Sequence, residues 1–352
     1  MPPSPHAPMR WSSGTLHRAW YAACTSAQLG ATRPLGCTIL EEPIVVYRGP
    51  GGAPVALADR CLHRNAKLSE GDVFDGCLGC PYHGWTYDCE GRLVNVPSES
   101  PENAVRPGKA VTAFPCKEAD GLVWVWLGDG PPDREPLPMP WYHTDGWRAY
   151  YMTTDFENGV TNLVENFMDV PHTVFVHAHW FRNAKRRHGE ATCRRTPADV
   201  LITYLHRDDI GFADWALNPE RLPMTHTDRF ISPNVTRVDY TWGDRRSFVI
   251  SSQITPISPF RSRVYTAIAF RFGLLTPLLE PFFRWYTRQV IEQDVVIMRN
   301  QGQNLQRYGE TRFDATEADW VHRYIEDLRE WREGGEQGPP PGVEERRIGF
   351  WI

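Results

Sequence analysis

The sequence predicts an α+β fold in two domains, an all-β domain followed by one in which an antiparallel sheet packs with a long helix. Three observations carry this. Short apolar runs of strand length occupy the first part of the chain. A stretch rich in Pro and Asp, Gly128–Pro140, reads as a linker. Beyond it, β-rich runs follow one another without intervening helices, which favours an antiparallel sheet, and a long helical segment comes after them.

The elements follow in order. Residues 1–13 are Pro-rich and expected to be disordered. The first domain is placed at 14–130. Trp20–Cys24 and Ile44–Tyr47 read as short apolar strands, and Val55–Ala58 leads directly into a loop at Cys61. Gly121–Gly128 is a strand with alternating aromatic residues. The second domain is placed at 140–336. Thr161–Val170 reads as helix, and Val200–His206, Arg237–Trp242 with Phe248–Thr255, and Val264–Phe272 read as strands. A long helix begins near Pro277 or Pro281 and runs past Asn300; proline is tolerated in a first turn, which fits either start. A further helix covers Glu317–Arg332, and the Gly-Pro run at Gly338–Gly342 opens a C-terminal tail, 337–352.

Composition narrows the function. The 352 residues are 41% apolar, 23% charged and 12% aromatic, ample material for a buried core. A net charge of −5 gives no reason to expect nucleic acid or an anionic membrane surface as partner. The start, MPPSPHAPMRWSSG, has no apolar run behind a basic one, so no secretory signal is expected. The longest apolar stretch, Ala267–Phe283, is broken by Arg271, Pro277, Glu280 and Pro281 and is not expected to span a bilayer. Eight cysteines in this context argue for metal ligation or reduced thiols, and a cytoplasmic location is expected. No GxGxxG or Walker pattern is present to hold a nicotinamide, a flavin or a nucleoside triphosphate.

Two clusters carry chemistry. Cys61-Leu62-His63, sixteen residues, then Cys80-Pro81-Tyr82-His83 supply two thiols and two imidazoles. Such a set can ligate a [2Fe–2S] cluster with two thiolates on one iron and two imidazoles on the other, which raises its reduction potential. Pro81 and Gly84 suit tight turns, and Tyr82, Trp85 and Tyr87 can cover the cluster. A structural Cys2His2 zinc site is the competing reading, although zinc fingers place both cysteines first. Cys77 and Cys89 are nearby buried thiols. Cys24, Cys37, Cys116 and Cys193 are isolated packing residues. The second cluster, Asp169-Val170-Pro171-His172 with His177 five residues on, could hold a lone iron. Residues five apart on a regular helix diverge by about 140°. Pro171 is therefore expected to break the helix and bring the two histidines together.

The stretch Cys61–Gly71, followed by Cys80–Tyr87 and the strand Gly121–Gly128, resembles the Rieske non-haem iron oxygenases, and the likeness extends from about Trp20 to Gln301. The resemblance implies a Rieske [2Fe–2S] domain with ligands Cys61, His63, Cys80 and His83, followed by a helix-grip (START-like) catalytic domain with a curved antiparallel sheet. Glu165, Asp169, His172 and His177 match the family's acidic-x3-Asp-x2-His-x4-His pattern, so His172 and His177 would ligate Fe(II). The segment Ile291–Gln301 is similar to the helix that carries the third ligand. Within it Asp294 shares a partly apolar face with Thr287, Ile291, Met298 and Gln301, where an unpaired carboxylate would be costly, whereas Glu292 points elsewhere. Two histidines and one carboxylate leave positions open for oxygen and substrate. In the family, the aspartate in the place of Asp169 bridges the two metal centres across a subunit interface, from His172 or His177 to His83 or His63 of a neighbouring subunit. That arrangement implies a cyclic homotrimer.

The resemblance also implies O2 as co-substrate and electrons from NAD(P)H, delivered by a separate flavin/ferredoxin-type reductase. Length and the absence of an obvious insertion are similar to the homo-oligomeric branch of vanillate and dicamba O-demethylases and phthalate-type oxygenases. The expected activity is hydroxylation or oxidative demethylation of a small, largely apolar molecule, with cis-dihydroxylation as the alternative. An electron-transfer Rieske ferredoxin and an iron-free lipid-binding protein are alternatives of other classes. Phe167, Val176, Trp180, Phe248 and Phe270 are candidate pocket walls or plain core. Arg182, Lys185, Arg186 and Arg187 could meet a carboxylate, face solvent or dock an acidic electron donor. His179, beside Trp180, is a lesser candidate to touch the substrate pocket, and His188, His206 and His226 are assigned no role.

Overall fold

The computed structural model describes residues 9–10, 16–105, 107–178, 188–205, 218, 220–309 and 312–351. Most of segment 1–13, and with it His179, Trp180, Arg182, Lys185, Arg186, Arg187 and His206, lies outside the described residues. The chain divides into two compact units. His17–Pro138 forms one, and the chain from Met139 onward forms the other, joined by a short strand at Met9–Arg10 that pairs with Arg312–Phe313.

The first unit is all β. Its central strand, Leu122–Leu127, pairs on one side with Cys116–Ala119 and on the other with Ala19–Thr25, and every one of its residues is buried. That explains why it reads as an unbroken apolar run. A four-stranded sheet of Leu35–Ile39, Glu42–Arg48, Pro54–Ala58 and Ala113–Phe114 lies in the same unit. A second four-stranded sheet consists of Asp72–Phe74, Cys77–Gly79, Thr86–Tyr87 and Leu93–Asn95. Loop 61–66 follows Pro54–Ala58, and loop 80–85 joins Cys77–Gly79 to Thr86–Tyr87.

The second unit is an eight-stranded antiparallel sheet with helices. Its elements are β1 (Arg148–Phe156), α1 (Val160–Met168), α2 (Thr173–Val176), β2 (His188–Arg195), β3 (Asp199–Tyr204), β4 (Met224–Ile231), β5 (Val235–Trp242), β6 (Arg246–Ser258), β7 (Arg261–Phe272), α3 (Thr276–Tyr308), α4 (Trp320–Glu333) and β8 (Glu344–Trp351). Strands β2 to β7 form a meander, β1 closes against β7, and β8 pairs with β2 at the far edge. The α+β architecture is the expected one. No described helix is long and apolar enough to cross a membrane.

Helix α3 has 33 residues, about 50 Å of helix at 1.5 Å per residue. Pro277 sits in its first turn and Pro281 lies inside it. Its buried residues Phe283, Thr287, Asp294, Met298 and Gly302 recur at helical spacing, so one narrow stripe faces inward. Glu292 is exposed, as its position predicts.

Several expectations need correction. The segment 337–352 is not a tail throughout, because Glu344–Trp351 pairs residue for residue with β2. An unpaired β2 edge would leave its N–H and C=O groups without partners. The helix expected over Thr161–Val170 stops at Met168. Proline disfavours the helical conformation in the residue before it, and Asp169 already turns extended at φ −95°, ψ 113°. Strands β1, β2, β4 and β8 were not anticipated.

Asn158, fully buried, locks the frame. Its Nδ2 donates to the Met298 carbonyl at 2.8 Å and to Gln301 Oε1 at 3.0 Å on α3. Its Oδ1 accepts from the Gly159 N–H and from Asn162 Nδ2 at the start of α1. Helix α3 approaches the turn before α1 so closely that a Cβ on Gly302 would stand 2.2 Å from the Glu157 carbonyl. Asn158→Ala is expected to destabilise the protein by about 2–3 kcal/mol, since it strands several buried partners at once. Urea denaturation of the two proteins measures this, and an unchanged midpoint would contradict it.

Candidate functional site

The two loops of the first unit are built alike. In loop 61–66 the Cys61 N–H donates to the Ala66 carbonyl at 2.9 Å, and the Asn65 N–H donates to the Cys61 carbonyl at 3.0 Å. In loop 80–85 the Cys80 N–H donates to the Trp85 carbonyl at 2.8 Å, and the Gly84 N–H donates to the Cys80 carbonyl at 3.0 Å. The fourth residue after each cysteine has positive φ, 57° at Asn65 and 71° at Gly84, positions suited to Asn and Gly. The result brings the His63 and His83 rings to 4.5 Å between centroids, with Trp85 stacked on His63 at 4.8 Å.

Cys61 and Cys80 are buried, at 1% and 5% exposure. The Leu62 N–H donates to Tyr87 Oη at 3.0 Å, which turns the hydroxyl proton toward Cys61 Sγ at 3.3 Å. Burial raises the Cys80 thiol above its ordinary pKa, against the opposing N–H groups of Tyr82 and His83. A thiolate here therefore calls for a metal cation. Two soft sulfurs and two imidazoles on facing loops fit a Rieske [2Fe–2S] cluster. Cys77 and Cys89 are half-buried thiols outside these loops.

In the second unit the break at Pro171 does what the spacing requires. α1 ends at Met168, α2 starts at Thr173, and the rings of His172 and His177 come to 5.2 Å between centroids. Asp294 arrives from α3. One ligand atom from each of His172, His177 and Asp294 lies within 4.8 Å of the others. Nε2 of His177 is 3.3 Å and Nε2 of His172 is 3.7 Å from Asp294 Oδ1.

The tautomers follow from the partners. Nδ1 of His177 lies 2.8 Å from Gln293 Oε1, and Nδ1 of His172 bonds the Asp169 carbonyl. Both acceptors draw the ring proton to Nδ1. Two Nε2 lone pairs and a carboxylate then converge, which is repulsive unless a cation stands between them. This donor set fits Fe(II). Asn166 Nδ2 donates to Asp294 Oδ1 at 3.0 Å, and Asp169 Oδ2 accepts the His172 N–H at 3.1 Å. Burial pulls the His172 pKa down, but the carboxylates of Asp169 and Asp294 outweigh it and the net shift is upward. Asn166 and Gln293 have no signature in sequence; only their place beside Asp294 and His177 singles them out.

A second convergence lies behind α1, where atoms of Glu165, Asp319 and His322 fall within 4.8 Å of one another. Asp319 is occupied as a helix cap, accepting from the Thr316 N–H and hydroxyl. Burial, then the negative charges of Asp169, Asp319 and Glu326, push Glu165 up to about 8.

The triad lines a cavity of about 130 Å³ between α1, α3 and strands β4 to β7. Of the expected walls, Phe167 and Phe248 line it. Phe270 instead packs in the core against Phe283 at 4.7 Å, and Val176 is not part of the wall. His226, assigned no role from sequence, does line it, together with Asp228.

Comparison with known proteins agrees with this geometry. Residues 19–115 match the Rieske [2Fe-2S] domain, and residues 159–323 match the vanillate O-demethylase oxygenase C-terminal domain. With both halves matched, the chain belongs to the Rieske non-haem iron oxygenases. It is 39% identical over 166 residues to the dicamba O-demethylase oxygenase component of Stenotrophomonas maltophilia, covering 46% of this chain and 48% of that one. It is 27% identical over 302 residues to the chloroplastic protein TIC 55 of Arabidopsis thaliana, covering 82% and 54%. The alignments thus span about half the length of these relatives. Among solved structures, dicamba monooxygenase bound to 3,6-dichlorosalicylic acid shares the fold at a TM-score of 0.78 and 23% identity, covering 92% of this chain and 99% of that one. Pseudomonas putida CBB5 NdmA with caffeine shares it at 0.76 and 24%, covering 91% and 92%.

Two predictions follow from the polar groups around these sites. For a cluster held in the two loops, Tyr87→Phe removes a hydrogen bond that favours the reduced, more negative state. The midpoint potential is expected to fall by about 20–60 mV at unchanged iron content, read by redox titration. Glu165 binds its proton more tightly folded than unfolded. Its contribution to stability is therefore full below about pH 4.5 and is lost as the pH rises through about 8. Glu165→Gln, which stays neutral, should flatten that decline in urea midpoints measured from pH 5 to 8.

Proposed function

We propose that this chain is the terminal oxygenase of a multicomponent system. It takes electrons from a separate NAD(P)H-dependent reductase of flavin/ferredoxin type, uses O2, and hydroxylates or oxidatively demethylates a small, largely apolar molecule. The observation that carries this reading is the convergence of His172, His177 and Asp294 on the wall of an apolar cavity. An electron-transfer ferredoxin has no use for either the triad or the cavity.

In this reading Cys61, His63, Cys80 and His83 hold the cluster, and His172, His177 and Asp294 hold Fe(II). When bound, these groups supply single electrons and a site for O2 reduction. The protein's own part is positioning. The Asp169 carbonyl fixes the His172 ring, and the Asp169 carboxylate holds the start of α2 through the His172 N–H. Gln293 orients His177, and Asn166 holds Asp294. The apolar walls keep water from the reacting end of the substrate.

We place Asp169 at the electron entry, in a cyclic homotrimer in which a neighbour's cluster loop meets it. The eight free cysteines suit the reducing cytoplasm. Anaerobically prepared protein is expected to hold about three irons per chain, two in the cluster and one alone. Asp294→Ala should hold about two, with the cluster's visible spectrum intact. Asp169→Asn should keep all three but lose about 100-fold in turnover with a reductase and O2. Equal iron in wild type and Asp294→Ala, or full activity in Asp169→Asn, would refute the respective assignments.

A further inference from the structure

One part of the cavity wall is out of keeping with the rest. His226 and Asp228 alternate on β4, 3% and 2% exposed, and both line the cavity. Around them the wall is largely apolar, with Met152, Val238, Phe248, Ile250 and Ile268. His226 Nε2 lies 3.0 Å from Asp228 Oδ1, and Tyr204 Oη donates to Asp228 Oδ2 at 2.8 Å. Tyr204 of β3 and Tyr240 of β5 stack on the imidazole at 4.2 and 4.4 Å, one from each neighbouring strand. Three strands thus hold one ionisable pair rigid. Apolar residues of the same volume would be the cheaper way to fill a core.

The arrangement has a chemical direction. An ionised carboxylate accepts up to about four hydrogen bonds, and Tyr204 and His226 account for two at Asp228. Asp228 is therefore suited to one more donor from inside the cavity. Away from the triad, whose Asp294 faces the metal in the oxygenase reading, Asp228 is the carboxylate of the wall, and among the described residues no lysine or arginine lines the space. A second carboxylate brought there would meet like charge in a poorly solvated place. Size sets a further limit. A cavity of about 150 Å³ holds benzene, so about 130 Å³ leaves room for no more than one ring.

Resting on the oxygenase reading, we infer that the substrate is a neutral single-ring molecule bearing a hydroxyl, and that Asp228, oriented by His226 and Tyr204, accepts the hydroxyl's hydrogen bond. The test is calorimetric titration of anaerobic holoprotein with guaiacol, anisole and 2-methoxybenzoate, with iron content and cluster spectrum recorded on each sample. Guaiacol is expected to bind roughly tenfold or more tightly than anisole, since a bond to a buried charge is at stake, and 2-methoxybenzoate to bind weakest. Asp228→Ala should bring guaiacol to the level of anisole and leave anisole unchanged. Asp228→Asn, which keeps an acceptor and the shape, should retain part of the preference and serves should the alanine variant not fold. Equal binding of guaiacol and anisole, tightest binding of the benzoate, no binding of any of the three with iron in place, or an undiminished preference in both variants overturns the assignment. Iron or cluster missing from the wild-type protein would instead unseat the oxygenase reading itself.

Discussion

The second unit is organised around one buried carboxylate. Asp294 is 4% exposed and faces two imidazole nitrogens whose ring protons are drawn to the opposite side by Gln293 and by the Asp169 backbone. Three acceptors brought together away from water repel one another, and the single donation from Asn166 does not offset that. Only a cation reconciles the group. A metal ion bound there would add to the stability of this unit, because it would relieve the repulsion of burying the triad.

That constraint reaches outward through the helices. His172 and His177 come from the broken end of α1 and Asp294 from the middle of α3, so the two helices must keep a fixed register. Asn158 supplies it, with hydrogen bonds to both, and the absence of a side chain at Gly302 allows the approach. The first unit solves the same kind of problem differently. Its four donors sit on two short loops with the same backbone hydrogen bonds, so main chain rather than helix packing sets their spacing. The difference suits the chemistry. A cluster cycling between two charge states gains from rigid turns and buried sulfur, whereas a site that must admit a substrate gains from standing at the wall of a cavity.

Much of this was legible in the sequence, for definable reasons. The paired Cys/His motifs announce themselves by composition and spacing, and Pro171 between Asp169 and His172 predicts the break that α1 shows. Asp294 could be picked out because an acid on an apolar helical stripe is conspicuous, and Glu292 rejected because it lies off that stripe. Asn166 and Gln293 were invisible, because neutral amides carry no pattern until their partners are placed. Edge strand β8 was missed because its charged start, Glu344 to Arg347, resembles a solvated tail. Phe270, open between pocket wall and core in the sequence, is core, since an aromatic residue on a strand reads the same from either face.

Strand β4 was missed for a more instructive reason. Its inward positions are His226, Asp228 and Phe230, so the alternation that marks a half-buried strand is inverted at two of three places. A sequence departs from its local pattern where folding alone is not what selects the residue. Two such departures in the second unit are Asp294 on α3 and the His226–Asp228 pair on β4. They arise in distant segments and on different kinds of structure, yet both line one cavity. A packing accident would not place the costliest side chains of a helix and of a strand against the same small space. The cavity is therefore the feature these residues serve, with the His172–His177–Asp294 triad, flanked by Asp169, and the His226–Asp228 pair as its ionisable groups.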